Sequence, residues 1–139
     1  MIVLDTNILS ETIRAVPQAR PMKWLAEQPR ASVFTTAITR GELLYGARLL
    51  PESQRKALLL EAIRAIFASD LAGRVLPFDN DAADAYAEIA ASRKAAGRPI
   101  SQFDAMIAAI VKSRGASLAT RNVKDFIDCG IKVIDPWRS

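Results

Sequence analysis

The sequence predicts an α/β fold: a short parallel sheet covered by helices on both faces, a three-layer α/β/α sandwich. Two observations carry this expectation. Short apolar runs rich in Val, Ile and Leu alternate with longer segments whose apolar residues recur at helical spacing, and strands that alternate with helices pair in parallel. Half of the 139 residues are apolar, enough for one core, and no repeat, low-complexity tract or linker divides the chain, so residues 1–139 read as a single domain.

The first strand is Ile2-Val3-Leu4, which runs into Asp5, Thr6 and Asn7 and then into the helical spacing of Ile8, Leu9 and Ile13. Residues 14–21 carry two prolines and read as a loop. Pro21 fits the first position of a second helix holding Trp24 and Leu25, which Pro29 ends. Residues 32–36 are a second strand. Thr39 with Glu42 three residues on is a capping-box pattern, opening a third helix that reaches Leu50. Pro51 closes it and opens the next, whose stripe of Leu58, Leu59, Ile63, Ile66 and Phe67 belongs to the core or to a dimer surface.

Past Gly73, residues 75–78 form a third strand kept short by Pro77. Asn80 caps a long alanine-rich helix with Ala83, Tyr86, Ile89 and Ala90 on one face, stopping at Gly97. Ser101 opens a further helix with the apolar set Phe103, Met106, Ile107, Ile110 and Val111, and Gly115 ends it. Residues 117–120 are a fourth strand, 122–126 a helical turn, and 132–135 a fifth strand before Pro136 and Trp137.

Composition narrows the chemistry. No apolar run approaches the ~18 residues that span a membrane, so a soluble cytoplasmic protein is expected. The single cysteine, Cys129, excludes an internal disulfide and a cysteine-rich zinc site, and reads as packing. The absence of histidine removes the Ser-His-Asp and Cys-His schemes, the histidine base and histidine-bearing zinc sites. An enzyme built from this chain must work with carboxylates, which in the absence of imidazole and thiolate select hard cations such as magnesium or manganese. A formal charge of +4 permits a polyanionic partner without requiring one.

Four carboxylates stand out by position. Asp5 ends a strand and points, in an open α/β sheet, toward the crevice where ligands bind. Taken alone it reads first as the N-cap of the helix behind it. Glu42 and Asp104 each lie three residues beyond a Thr or Ser that opens a helix, and Asp125 three beyond Asn122, so each is individually explained as a cap partner at the positive end of a helix. Asp5 and Asp125 follow strands directly, whereas loops precede the helices of Glu42 and Asp104. Brought together, such acids repel one another unless a cation lies between them. A divalent ion there activates water and stabilises charge on a phosphoryl oxygen, the requirements of phosphodiester hydrolysis.

At this point the residues resemble a known family. The start Leu4-Asp5-Thr6-Asn7, the segment Thr39-x-x-Glu42-Leu43 with Gly46, Asp104 opening a helix rich in alanine and isoleucine, and the run from Ala119 through Thr120, Arg121, Asn122 and Asp125 to Phe126 are similar to a PIN domain. Val133-Ile134-Asp135-Pro136-Trp137 is similar too, so the resemblance covers nearly the whole chain, and it is strongest to the VapC-type ribonuclease toxins of toxin–antitoxin pairs. The resemblance implies a PIN-like fold and a Mg2+- or Mn2+-dependent endoribonuclease in which Asp5, Glu42 and Asp104 hold the metal. It also implies an RNA substrate, a homodimer and a cognate antitoxin that blocks the site. The family's fourth acid often follows the Thr-Arg pair. Here that position is Asn122, with Asp125 three residues on as the alternative source of charge, and the departure bears on whether a second metal binds.

Thr6, Asn7, Thr120 and Asn122 are the supporting residues; the hydroxyls of Thr6 and Thr120 orient water or a carboxylate, or serve as caps. Arg14, Arg40 and Arg121, with Arg20 and Lys23, are candidates for contact with RNA phosphates, against the plain alternative of a solvated face. With 6% aromatic residues no base-stacking platform is evident. Two other readings compete. A phosphoacceptor signalling domain requires an adjacent acidic pair near the first strand, where this chain has Asp5 alone. A catalytically silent binding module of the same fold has no need of Asp5, Glu42 and Asp104.

Overall fold

A computed structural model describes residues 1–138. Five strands, β1 (Ile2–Leu4), β2 (Val33–Thr36), β3 (Val75–Leu76), β4 (Ser117–Ala119) and β5 (Lys132–Ile134), form one sheet in the order β3-β2-β1-β4-β5, and every pair is parallel. Six α-helices among the described residues join them: α1 (Thr6–Thr12), α2 (Ala19–Ala26), α3 (Ala37–Arg48), α4 (Gln54–Ala65), α5 (Asn80–Ala95) and α6 (Gln102–Ser113). This is the mixed α/β architecture with a parallel sheet that the alternating pattern predicts.

The pleat explains the three layers. Successive side chains of a strand face opposite sides, so Val3 and Leu118 join one apolar cluster with Ile107, Ile110 and Phe126, while Leu4 and Ala119 join another with Ile8, Leu43 and Ile63. The first cluster is covered by α5 and α6, which pack against each other, and the second by α1, α3 and α4. Among the described residues no helix is long and apolar enough to cross a membrane.

Several element starts differ from the sequence reading, each for a local reason. Thr36 keeps extended backbone angles to the end of β2, and its hydroxyl caps α3 by accepting from Thr39 N at 3.1 Å. Strand therefore passes to helix without a loop, Thr39 lies buried inside the first turn, and the Thr39/Glu42 capping box does not form. Asp79, not Asn80, caps α5, accepting from Ala82 N at 3.0 Å. Ser53 caps α4, so Pro51 stands before the helix rather than opening it. In α2 Pro21 occupies the third position, still within the first turn where a backbone N–H has no helical partner. Ser101 caps α6 as expected, and Gly97 and Gly115 take positive φ beyond α5 and α6. Of the apolar sets, Phe103 is exposed rather than buried, and Leu58 is exposed too, which leaves for Leu58 the dimer-surface alternative rather than the core.

Candidate active site

The strand order decides where the acids go. From β1 the sheet grows through β2 to β3 on one side and through β4 to β5 on the other, and a crevice opens beyond the carboxyl ends of the strands where the winding reverses. Asp5 follows β1 and Thr120 follows β4, one on each lip of that point. The Thr120 hydroxyl donates to Asp5 Oδ2 at 2.8 Å, and Thr6 N donates to Asp5 Oδ1 at 2.8 Å. The carboxylate that caps α1 therefore also lines the crevice. Asn7 Nδ2 donates to Thr120 Oγ1 at 3.1 Å, and Asn122 N donates to the same oxygen at 3.0 Å, so the loop after β4 is tied to the start of α1.

Glu42 comes from the second turn of α3. The Thr6 hydroxyl donates to Glu42 Oε1 at 2.8 Å and lies 3.3 Å from Thr39 Oγ1, which is why the unlooped start of α3 matters: it carries Glu42 to the same edge as Asp5. Asp104 sits in the first turn of α6, its N–H satisfied by Ser101 Oγ at 3.2 Å. Asp5, Glu42 and Asp104 line one cleft of about 410 Å3, together with Thr6, Asn7, Arg14, Arg121 and Asn122.

The electrostatics follow from this crowding. Burial pushes the Asp5 carboxyl up to about 6; the Thr120 and Thr6 hydrogen bonds oppose the rise, and the charges of Asp104 and Glu42 add to it. Asp104 is also raised, again by burial first, with Asp125 pushing it up and Ser101 and Arg93 pulling it down. None of the ion pairs among the described residues engages Asp5, Glu42 or Asp104.

Comparison with known proteins decides the family. The PIN domain family model matches residues 2–130. The chain belongs to the PIN-domain family. Among its relatives, "VapC ribonuclease Y4jK" of Sinorhizobium fredii is 37% identical over 137 residues, 99% of this chain and 98% of the relative. "Toxin FitB" of Neisseria gonorrhoeae is 37% identical over 99% of both chains, and the crystal structure of FitAcB from the same organism matches with a TM-score of 0.93 and 37% identity across 100% of each chain. The "tRNA(fMet)-specific endonuclease VapC" of Shigella flexneri is 31% identical over 97% of this chain and 96% of its own.

In this PIN domain the sequence-predicted residues divide into two groups. Asp5, Glu42, Asp104, Thr6, Asn7, Asn122, Arg14 and Arg121 line the cleft, with Thr120 buried directly behind Asp5. Asp125 is not on the cleft wall and reaches Asp104 only by its charge, while Arg40 turns away and stacks over Phe67 at 5.4 Å. Three lining residues escaped the sequence reading: Ser10, Glu11 and Trp137. Asn7, Ser10 and Glu11 fall at helical spacing on one face of α1, a polar stripe that was available as a signal. For Trp137 no local pattern marks a place in the cleft.

Among the described residues no three carboxylates close into a ready-made metal cage. The donor chemistry nevertheless fits a hard divalent ion: the carboxylates offer oxygen ligands, none of them is in an ion pair among the described residues, and the cleft has open volume for the waters that magnesium retains when one or two carboxylates bind it.

Proposed function

We propose that this PIN domain is a magnesium- or manganese-dependent endoribonuclease, the toxin of a toxin–antitoxin pair, that hydrolyses RNA phosphodiester bonds. The reading rests chiefly on one observation: three acids from three separate elements line a single cleft, and none of the ion pairs among the described residues engages them. The names of its relatives support RNA as the substrate class and nuclease activity as the reaction.

Asp5, Glu42 and Asp104 are the residues that hold the ion. When bound, it lowers the pKa of water and stabilises charge on a phosphoryl oxygen. Thr120 and Thr6 fix the Asp5 carboxylate, and the Thr6 hydroxyl orients Glu42. Asn122 takes the fourth position of the cleft wall, and Asp125, off that wall, acts on Asp104 through its charge. The toxin–antitoxin reading also carries a cognate antitoxin, a homodimer and a cytoplasmic site of action. Exposed Tyr45 and Phe103, which face a common hollow with Ile38, are an apolar surface for the dimer.

The purified protein incubated with RNA and manganese cleaves it, and chelator stops the reaction. Asp5→Asn or Asp104→Asn lowers the rate by at least roughly 10³-fold, the loss of about 4 kcal/mol of transition-state stabilisation. Cleavage that survives both substitutions overturns the proposal. The antitoxin is checked by asking whether a short reading frame for a DNA-binding protein lies directly upstream.

A further inference from the structure

We infer that Trp137 is a positioning residue that holds Arg121 at the mouth of the acidic cleft, where its guanidinium binds a phosphate of the RNA backbone. The inference rests on the endoribonuclease reading and names a substrate contact within it.

Two arginines line the cleft, and their charges are spent differently. Arg14, although more than half exposed, lies 3.4 Å from the buried Glu11 carboxylate, so part of its charge is met by an ion pair within the chain. Arg121 makes no ion pair among the described residues; its guanidinium carbon stands 5.2 Å over the Trp137 ring. A π face attracts a cation without neutralising it, so Arg121 keeps its charge for a ligand. That matters here, because Asp5, Glu42 and Asp104 on the same wall repel phosphates, and an uncompensated cation at the rim is what draws a polyanion toward them.

The ring is anchored so that it can act as a fixed support. Its Nε1–H donates to Gln18 Oε1, its backbone N donates to Asp135 Oδ1 at 2.9 Å, and its carbonyl accepts from Arg20 Nη1 at 3.1 Å. The indole also packs against the apolar cluster containing Leu4 and Leu9. The backbone of Arg121 is anchored as well, its N–H donating to Asn7 Oδ1 at 3.3 Å. A free arginine side chain loses up to about 2 kcal/mol of rotamer entropy when it settles on a ligand; one already resting on a ring loses less. Packed against the core and with Arg121 over its ring, Trp137 serves the guanidinium rather than a stacked base.

The test is binding of a short single-stranded RNA in chelator, followed by anisotropy between 50 and 200 mM salt as rough working limits. Arg121→Ala weakens binding about 3- to 10-fold at the lower salt and reduces the slope of log affinity against log salt by roughly 0.7, the loss of one phosphate contact. Trp137→Leu, which keeps apolar packing and removes the π face, produces the same change of slope. Trp137→Phe restores most of the affinity, and the Trp137→Leu, Arg121→Ala double variant binds no more weakly than Arg121→Ala. With manganese present the loss falls on KM rather than kcat. Should Trp137→Leu fail to fold, Gln18→Leu, which releases the indole at the surface, takes its place. Unchanged slopes in a wild-type background that binds and cuts RNA overturn this inference alone. A wild-type protein that neither binds nor cuts RNA overturns the nuclease reading with it.

Discussion

Asp5 at the end of β1 and Arg93 near the end of α5 are buried to almost the same degree, 5% and 7% exposed. Their surroundings are opposite. Arg93 donates to three backbone carbonyls, from Nε to Arg98 O at 2.7 Å and from Nη1 to Asp125 O at 3.0 Å and Ile127 O at 2.9 Å, stapling the end of α5 to the segment after β4. Asp5 accepts two short hydrogen bonds but faces two further acids and no paired cation. One burial is compensated within the fold and the other is left incomplete, and a buried group raised by desolvation and like charge in a cleft is where function is to be sought.

The largest effect that tests this contrast is on stability at the compensated site. Arg93→Met leaves three carbonyls without their donor and is expected to cost about 3 kcal/mol, a fall in Tm of roughly 10 °C. A loss under about 1 kcal/mol in thermal melts would show that the staple is ornamental, and the contrast would fail.

The incomplete site predicts the opposite sign. The folded carboxyl of Asp5 titrates near 6, above its ordinary 3.8, so the folded state binds a proton more tightly. In metal-free buffer the penalty of about 3 kcal/mol is absent below pH ~4, grows as pH rises toward 6, and is complete above it. Asp5→Asn removes that dependence and also weakens the bond from Thr120, about 1 kcal/mol. The variant is therefore expected to be more stable than wild type by about 1–2 kcal/mol at pH ~7.5, and less stable by about 1 kcal/mol at pH ~4. Parallel melting curves at both values would break the claim.

A smaller change sharpens it. Thr120→Val deletes the donor to Asp5 Oδ2 and the acceptor of Asn7 Nδ2 and Asn122 N; the last two groups are only part-buried and turn to water, so about 1 kcal/mol of stability is lost and the Asp5 carboxyl moves further up. Titration of the Asp5 side chain by NMR distinguishes this from a packing defect, which leaves that carboxyl where it was.

Much of the fold was legible because it is written in local patterns. The passage from Leu4 to Asp5, the Ser101 cap and the glycine stops at 97 and 115 each depend on a few neighbouring residues. The start of α3 was not, because its local pattern is ambiguous. Thr36 and Thr39 are both plausible caps, and it is the pairing of Thr36 with Leu76 of β3, distant in sequence, that keeps Thr36 extended to the helix boundary. Arg40 illustrates the converse: close to Glu42 in sequence and on the same helix, it points to Phe67 instead of the cleft.

What the sequence determined by itself is the set of available donors, with no histidine, one cysteine and a few carboxylates at element starts, and the periods that make strands and helices. What the tertiary structure decided is which of those donors meet. Parallel pairing of β1 with β4 sets Thr120 against Asp5 across 115 positions of chain, and the same sheet edge gathers Glu42, Asp104 and Trp137. Local propensity fixes only the conformation of neighbouring residues, whereas strand order is chosen by burial of both sheet faces at once, a property of the whole chain.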